Sequence, residues 1–84
     1  MEGHLQRTLG ENVRRIRQAR GLSQEAFADA LGVHRTYMGT LERGQRNMSL
    51  RAVERLAGLL GIDDPRTLLS ETMTVSVTVT DPGR

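Results

Sequence analysis

Apolar residues recur every three or four positions near the start of the chain, which is the spacing of one helix face. Leu5, Leu9, Val13 and Ile16 form this stripe, and arginines occupy the other faces. The pattern predicts a first helix over residues 4–20. It ends before a glycine, in the position that glycine favours after a helix.

Two short amphipathic segments follow, with a very short connection between them. Ser23 is a typical N-cap residue, and the pattern predicts a second helix over residues 24–31. Only Gly32 and Val33 separate it from a third predicted helix over residues 34–43. Two short helices joined by so tight a turn with a glycine in it are typical of a helix-turn-helix.

Two further helices are predicted before the chain changes its pattern. Ser49 is a second N-cap residue, and an apolar stripe after it predicts a fourth helix that ends at Leu60. A proline at position 65 favours a helix start, which predicts a short fifth helix through Leu69. The fold class expected from these segments is all-α, with five helices.

The C-terminal segment alternates between apolar and polar residues, which is the period of a β-strand. The apolar positions are Met73, Val75, Val77 and Val79. A single strand leaves its backbone groups unsatisfied, and no second strand is predicted elsewhere in the chain. We therefore expect these four residues to pair with the same segment of a second copy across a dimer. A flexible tail is the alternative.

Composition excludes several classes of site. The chain has 84 residues, 37% of them hydrophobic, which is enough for one small globular domain. It contains no cysteine, which rules out disulfides and thiolate zinc sites, and His4 and His34 lie too far apart to predict any metal site. No apolar run approaches the ~20 residues of a membrane span and no secretory pattern is present, so we expect a cytoplasmic protein.

Charge adds a hint of nucleic-acid binding. All twelve basic residues are arginines, and eleven of them lie between Arg7 and Arg66. Arginine is the side chain best shaped for bidentate contacts to phosphate and guanine. A GC-rich genome that replaces lysine codons by arginine codons would give the same count, so composition alone leaves the question open.

The run LSQEAFADALGVHRTYMGTLERGQRN, residues 22–47, resembles the helix-turn-helix of the lambda-repressor/Cro-like (Xre) family of transcription regulators. Within that family, HRTYMGTLERGQRNMSL is similar to the controller proteins of restriction–modification systems. The resemblance covers residues 9–60. It implies a lambda-repressor-like domain that binds double-stranded DNA as a homodimer on a pseudo-palindromic operator.

In such a domain the third helix enters the major groove and presents its N-terminal residues to base edges. Its predicted outward face carries Arg35, Thr36, Gly39 and Thr40. Arg35 can bond guanine bidentately, the threonines can meet bases by hydroxyl or methyl, and Gly39 would let the helix approach closely. The alternatives are a solvated surface arginine and a merely tolerated glycine.

Other residues are expected to fix the position on the duplex without reading it. Arg43, Arg46 and Asn47 lie around the turn after the reading helix, within reach of phosphates. The edge of a minor groove is the alternative target for these three residues. Tyr37 could place its hydroxyl on a phosphate, or pack as a half-buried ring.

The resemblance bears on four further residues. Gln24 matches the phosphate-contacting glutamine of the family, and Arg17 and Glu42 match a pair that forms an internal salt bridge in related repressors. His34 stands where the family has a serine, threonine or aspartate N-cap. Whether His34 caps the helix, contacts phosphate or does neither stays open at this point.

The sequence therefore predicts a helix-turn-helix domain over residues 1–70 and a C-terminal strand or tail over residues 71–84. The expected function is sequence-specific regulation of transcription, as repressor or activator, with no cofactor, metal or small-molecule substrate. An antitoxin or adaptor that binds a protein through the same fold is the alternative. An enzyme is disfavoured, because the chain shows no nucleophile–base pair and no phosphate-cradling glycine loop.

Overall fold

A computed structural model describes residues 3–75 of the chain. The elements, in chain order, are α1 (His4–Ala19), α2 (Gln24–Leu31), α3 (Arg35–Glu42), α4 (Leu50–Leu60) and a 3₁₀ helix (Pro65–Leu69). None of the helices in this part of the chain has the length and apolar character that crossing a bilayer requires.

The starts of α2 and α4 are fixed by serine caps. The hydroxyl of Ser23 accepts a hydrogen bond from the backbone N–H of Ala26, and Ser49 accepts one from Ala52, each at 3.0 Å. Each cap satisfies an N–H that has no partner within its own helix. The predicted cap residues therefore define where both helices begin.

The apolar stripes of the helices meet in one core. Its largest fully buried side chains include Phe27 of α2, and Met38 and Leu41 of α3. Helix α1 packs against both α3 and the 3₁₀ helix, and α2 packs against α3. Burial of these side chains stabilises the domain, and most of the core is aliphatic or methionine because the chain has only two aromatic residues.

The predicted fifth α-helix is wrong, because the segment Pro65–Leu69 is a 3₁₀ helix. Its bonds span three residues, as in the bond from the N–H of Thr67 to the carbonyl of Asp64. Beyond it, the buried Asn12 of α1 donates hydrogen bonds of 2.9 Å to the carbonyls of Leu68 and Ser70. Those carbonyls are bound by a side chain of α1, so the segment ends as a short turn instead of extending into an α-helix.

The predicted C-terminal strand is also wrong, because no strand is present among residues 3–75. Residues 70–75 form a turn and irregular backbone, and Met73 is only 6% exposed within the core of its own protomer. Val75 packs partly buried against the same core. Burial does alternate between Met73, Thr74 and Val75, but the apolar side chains pack against the core of their own domain and not against a second strand. Val77 and Val79 lie outside the described residues.

Candidate nucleic-acid interface

The turn between α2 and α3 is built by a glycine and a histidine. Gly32 ends α2 with a φ of +73°, a left-handed conformation that glycine adopts without steric cost. His34 then begins α3, and its Nδ1 accepts a hydrogen bond of 3.0 Å from the N–H of Thr36. His34 thus occupies the cap position with a ring nitrogen in place of the usual hydroxyl or carboxylate.

The first turn of α3 is exposed and polar. Arg35 and Thr36 both face solvent, while Met38 and Leu41 hold the opposite face in the core. The guanidinium of Arg35 lies 3.8 Å from the carboxylate of Glu25, and both side chains are about two-thirds exposed, at 67% and 70%. Such a solvated ion pair contributes little, so Arg35 is free to exchange this partner for another acceptor.

Gly39 lies on the same helix but is buried, because two polar side chains cover it. A Cβ at this position would lie 3.3 Å from a terminal nitrogen of Arg43 and 3.8 Å from the side-chain oxygen of Gln24. The guanidinium of Arg43 rests over the glycine and also donates a hydrogen bond of 3.2 Å to Gln45. The surface at position 39 is therefore supplied by Arg43 and Gln24.

Arg46, in the loop after α3, is held against that helix by two contacts. Its guanidinium carbon lies 4.5 Å from the centre of the Tyr37 ring, in a cation–π contact. Its Nε donates a hydrogen bond of 3.2 Å to the hydroxyl of Thr40, which itself donates to the carbonyl of Tyr37 at 2.9 Å. The hydroxyl of Thr40 is thus engaged with Arg46, and the guanidinium of Arg46 is held in place by both Thr40 and Tyr37.

The hydroxyl of Tyr37 is turned away from this contact. It lies 3.7 Å from the sulfur of Met48, and the ring is half-buried. Asn47 is exposed beside Arg46 in the same loop. The structure thus brings Arg46 together with Tyr37 and Thr40 of α3, with Asn47 next to Arg46 in the loop.

A nearly buried carboxylate connects three helices behind this surface. The side chain of Glu42 is 3% exposed and accepts two hydrogen bonds from the guanidinium of Arg17, at 2.7 and 3.1 Å. Arg17 also donates to the carbonyl of Leu22, at 2.9 Å. Gln24 donates its side-chain amide to the same Glu42 carboxylate at 3.0 Å. The network fixes the Gln24 side chain at the edge of α3.

Two contacts that arginines make with α3 were not predicted from the sequence: that of Arg43 over Gly39 and that of Arg46 on Tyr37. The spacing of Gly39 and Arg43 does carry a signal, because residues four apart on a helix are neighbours and a glycine leaves room for a side chain above it. The placement of Arg46 on Tyr37 carries no such signal, because it depends on the path of an irregular loop. Among residues 3–75, no three histidine or acidic side chains cluster so that they could hold a metal ion.

Comparison with known proteins identifies the domain as a helix-turn-helix. A family model described as a helix-turn-helix domain matches residues 8–69. The control protein C.SmaI of Serratia marcescens is 45% identical over 60 residues, which are 71% of each chain. The control protein C.BamHI of Bacillus amyloliquefaciens is 38% identical over 73 residues, 86% of this chain and 89% of the relative.

A solved structure gives the same result. The restriction–modification controller protein C.AhdI of Aeromonas hydrophila superimposes with a TM-score of 0.62 at 46% identity, covering 75% of this chain and 94% of that one. The resemblance drawn from residues 22–47 is confirmed by these matches. The chain belongs to the helix-turn-helix family of transcriptional regulators, and restriction–modification controller proteins are among its relatives.

Proposed function

We propose that the chain is a sequence-specific regulator of transcription that binds double-stranded DNA with α3 in the major groove. The observation that carries the proposal is the surface of α3, where Arg35 and Thr36 stand exposed on the first turn. Arginine and amide side chains flank them on both sides. Exposed side chains at a helix start are suited to base edges, and the donors beside them are suited to phosphate.

Base reading is assigned to the start of α3. Arg35 is the strongest candidate, because a guanidinium can donate two bonds to one guanine and discriminate it by ~1–3 kcal/mol. Thr36 can accept, donate or meet a thymine methyl. Gly39 and Thr40 lie on the same helix, but Arg43 covers the first and Arg46 engages the second. Their contribution to reading would run through those arginines.

Phosphate anchoring is assigned to the flanks of α3. Gln24 and Arg43 stand on one side, and Arg46 and Asn47 stand on the other. His34 belongs to the set by position, although its Nδ1 already has a partner in the protein. Tyr37 contributes by supporting the guanidinium of Arg46 with its ring, because its hydroxyl donates to the sulfur of Met48. A phosphate contact from His34 would use its other nitrogen.

The regulator is proposed to act as a homodimer on a pseudo-palindromic operator. A single reading helix covers too few base pairs to select one site, and helix-turn-helix proteins solve this by binding two half-sites about one DNA turn apart. Because its proposed ligand is double-stranded DNA, the place of action would be the cytoplasm.

Selection of binding sites from random duplexes tests this function directly. The selected sequences should converge on two inverted half-sites separated by about 10 base pairs, the length of one DNA turn. The protein should then bind that duplex at least a thousandfold more tightly than a scrambled one, as specific regulators do. Equal affinity for both duplexes would contradict specific reading, and convergence on a lone half-site bound by a monomer would contradict the dimer.

A further inference from the structure

A second group of arginines lies outside the helix-turn-helix, on α1. A cleft between α1 and the end of α3 is lined by five charged side chains: Arg7, Glu11, Arg14, Glu42 and Arg43. Three of the five are arginines, and Arg7, Arg14 and Arg43 are all exposed. The question is whether this cleft belongs to the surface that contacts DNA.

The register of α1 places these arginines beside α3. Positions 7, 10, 14 and 17 lie on one face of a helix, because they are separated by three and four residues. Gly10 fixes the direction of that face, because a Cβ there would lie 2.8 Å from the carbonyl oxygen of Glu42. Arg17, one turn beyond Arg14, bonds the Glu42 side chain. Arg14 therefore lies between two points where α1 touches α3.

The N-terminal end of the same face is anchored equally closely. A Cβ at Gly44, just after α3, would lie 2.8 Å from the Cα of Arg7. The backbone of α1 thus runs directly past the turn that follows the reading helix. The side chain of Arg7 starts at this contact, beside the base of Arg43.

The charge of the cleft is positive. Within residues 3–75, neither Arg7 nor Arg14 nor Arg43 forms a salt bridge. The carboxylate of Glu42 is already neutralised by Arg17. The cleft is thus lined by three arginines and one uncompensated carboxylate, that of Glu11, which leaves an excess of two positive charges. An excess of positive charge along a cleft attracts a polyanion.

The cleft is continuous with the proposed DNA surface through Arg43. Its guanidinium lies over Gly39 beside Gln24, and the same side chain lines the cleft. A sugar–phosphate backbone that passes Gln24 and Arg43 therefore reaches Arg14 and Arg7 next. We propose that Arg7 and Arg14 of α1 extend the phosphate-binding surface of the domain beyond its helix-turn-helix. This inference rests on the proposed function, because it assumes that α3 faces duplex DNA.

The salt dependence of binding to a random-sequence duplex tests the proposal without knowledge of the operator. The logarithm of the binding constant falls linearly with the logarithm of the salt concentration. Removing one arginine–phosphate interaction makes this slope shallower by about 0.9. Arg14→Gln should lower the slope by about that amount, and Arg7→Gln/Arg14→Gln by about twice as much. The matched control is Arg15→Gln, because Arg15 neighbours Arg14 but lies beside Asn12, on the side of the 3₁₀ helix.

A variant that gains affinity completes the test. Glu11→Gln removes the one uncompensated carboxylate of the cleft, so it should tighten binding severalfold at low salt. Thermal unfolding shows whether each variant keeps the wild-type fold. Wild-type slopes for Arg14→Gln and for the double variant, in folded proteins, would overturn the role of α1. The proposed function would still stand if the wild type continued to distinguish its selected duplex from a scrambled one.

Discussion

The backbone of Gly10 in α1 lies directly against the carbonyl oxygen of Leu41 in α3. A Cβ at residue 10 would lie 2.8 Å from the neighbouring carbonyl of Glu42, and closer still to that of Leu41. Neither oxygen can rotate away, because both belong to helical backbone. The contact sets the spacing between α1 and α3.

Replacing Gly10 by alanine should therefore destabilise the domain. The gain of ~1 kcal/mol in helix propensity is outweighed by overpacking against rigid atoms, which costs ~1–3 kcal/mol. The added Cβ would meet backbone atoms that cannot move aside, so we expect a net loss of up to about 2 kcal/mol in the free energy of unfolding, measured by urea denaturation. Gly58→Ala is the control, because nothing lies within 4 Å of a Cβ there. It should stabilise the protein, and destabilisation by both variants would contradict the steric explanation.

Truncating Met73 should remove a large fraction of the domain's stability. Its side chain is 6% exposed in the core, and removal of a buried methionine side chain costs about 2–5 kcal/mol. Denaturation of Met73→Ala should show this cost in a protein whose native state is only marginally stable. Thr74→Ala, at the exposed neighbouring position, should change the stability by less than about 0.5 kcal/mol. Equal effects of the two substitutions would show that residue 73 does not pack in the core.

Removing the Glu42 carboxylate should destabilise the fold and weaken DNA binding together. Glu42→Ala leaves Arg17, whose side chain is 13% exposed, without its partner, at a cost of about 3 kcal/mol. Combining Arg17→Met with Glu42→Met should recover most of the stability, because no unpaired charge remains. The recovered protein should still bind DNA weakly, since Gln24 no longer has its acceptor. Wild-type affinity in that double variant would show that Glu42 does not position Gln24.

Substitutions of Arg35 and of Arg46 should have different effects on DNA binding in competition assays. Arg35→Ala should lose ~1–3 kcal/mol of discrimination between the selected duplex and one changed at the base it contacts. Arg35→Lys should lose nearly as much, because an ammonium group keeps the charge but lacks the bidentate geometry. Arg46→Ala should weaken binding to all duplexes alike and lower the salt slope by about 0.9. Loss of discrimination in Arg46→Ala alone would reverse the two assignments.

The ring of Tyr37 should matter more than its hydroxyl. The ring supports the guanidinium of Arg46 at 4.5 Å, while the hydroxyl faces Met48. Tyr37→Phe should therefore keep wild-type affinity for DNA, whereas Tyr37→Leu should reproduce the affinity loss of Arg46→Ala. A large loss in Tyr37→Phe would instead place the hydroxyl on a phosphate.

The sequence predicts the elements of this fold better than their ends and contacts. Serine caps and apolar spacing give the bounds of α2 correctly, because both signals are local. The 3₁₀ helix and the segment after it depend on Asn12, which lies 56 residues from Leu68 in the chain. The alternation of Met73 and Val75 with polar residues predicts a strand, but the period alone does not say what covers an apolar face.

In the candidate interface, too, the sequence predicts the features set by local spacing but not the contacts between distant side chains. Exposure of Arg35 and Thr36 follows from the helical register, because Met38 and Leu41 must face the core. The covering of Gly39 by Arg43 follows only after the rotamer of a long side chain is known. The bond from Gln24 to Glu42 depends on how α2 lies across α3, which residue spacing does not specify.

The carboxylate shared by Arg17 and Gln24 has a consequence for how bound DNA acts on the domain. In the proposed complex, Gln24 would contact a phosphate from the point at which α1, α2 and α3 meet, so a duplex that fixes this side chain would also restrain the angles between those helices. Binding should then suppress local opening around that point, beyond the general gain in stability that any ligand of the native state provides. Amide hydrogen exchange near Glu42 would respond to the DNA even though that residue stays beneath the contact surface.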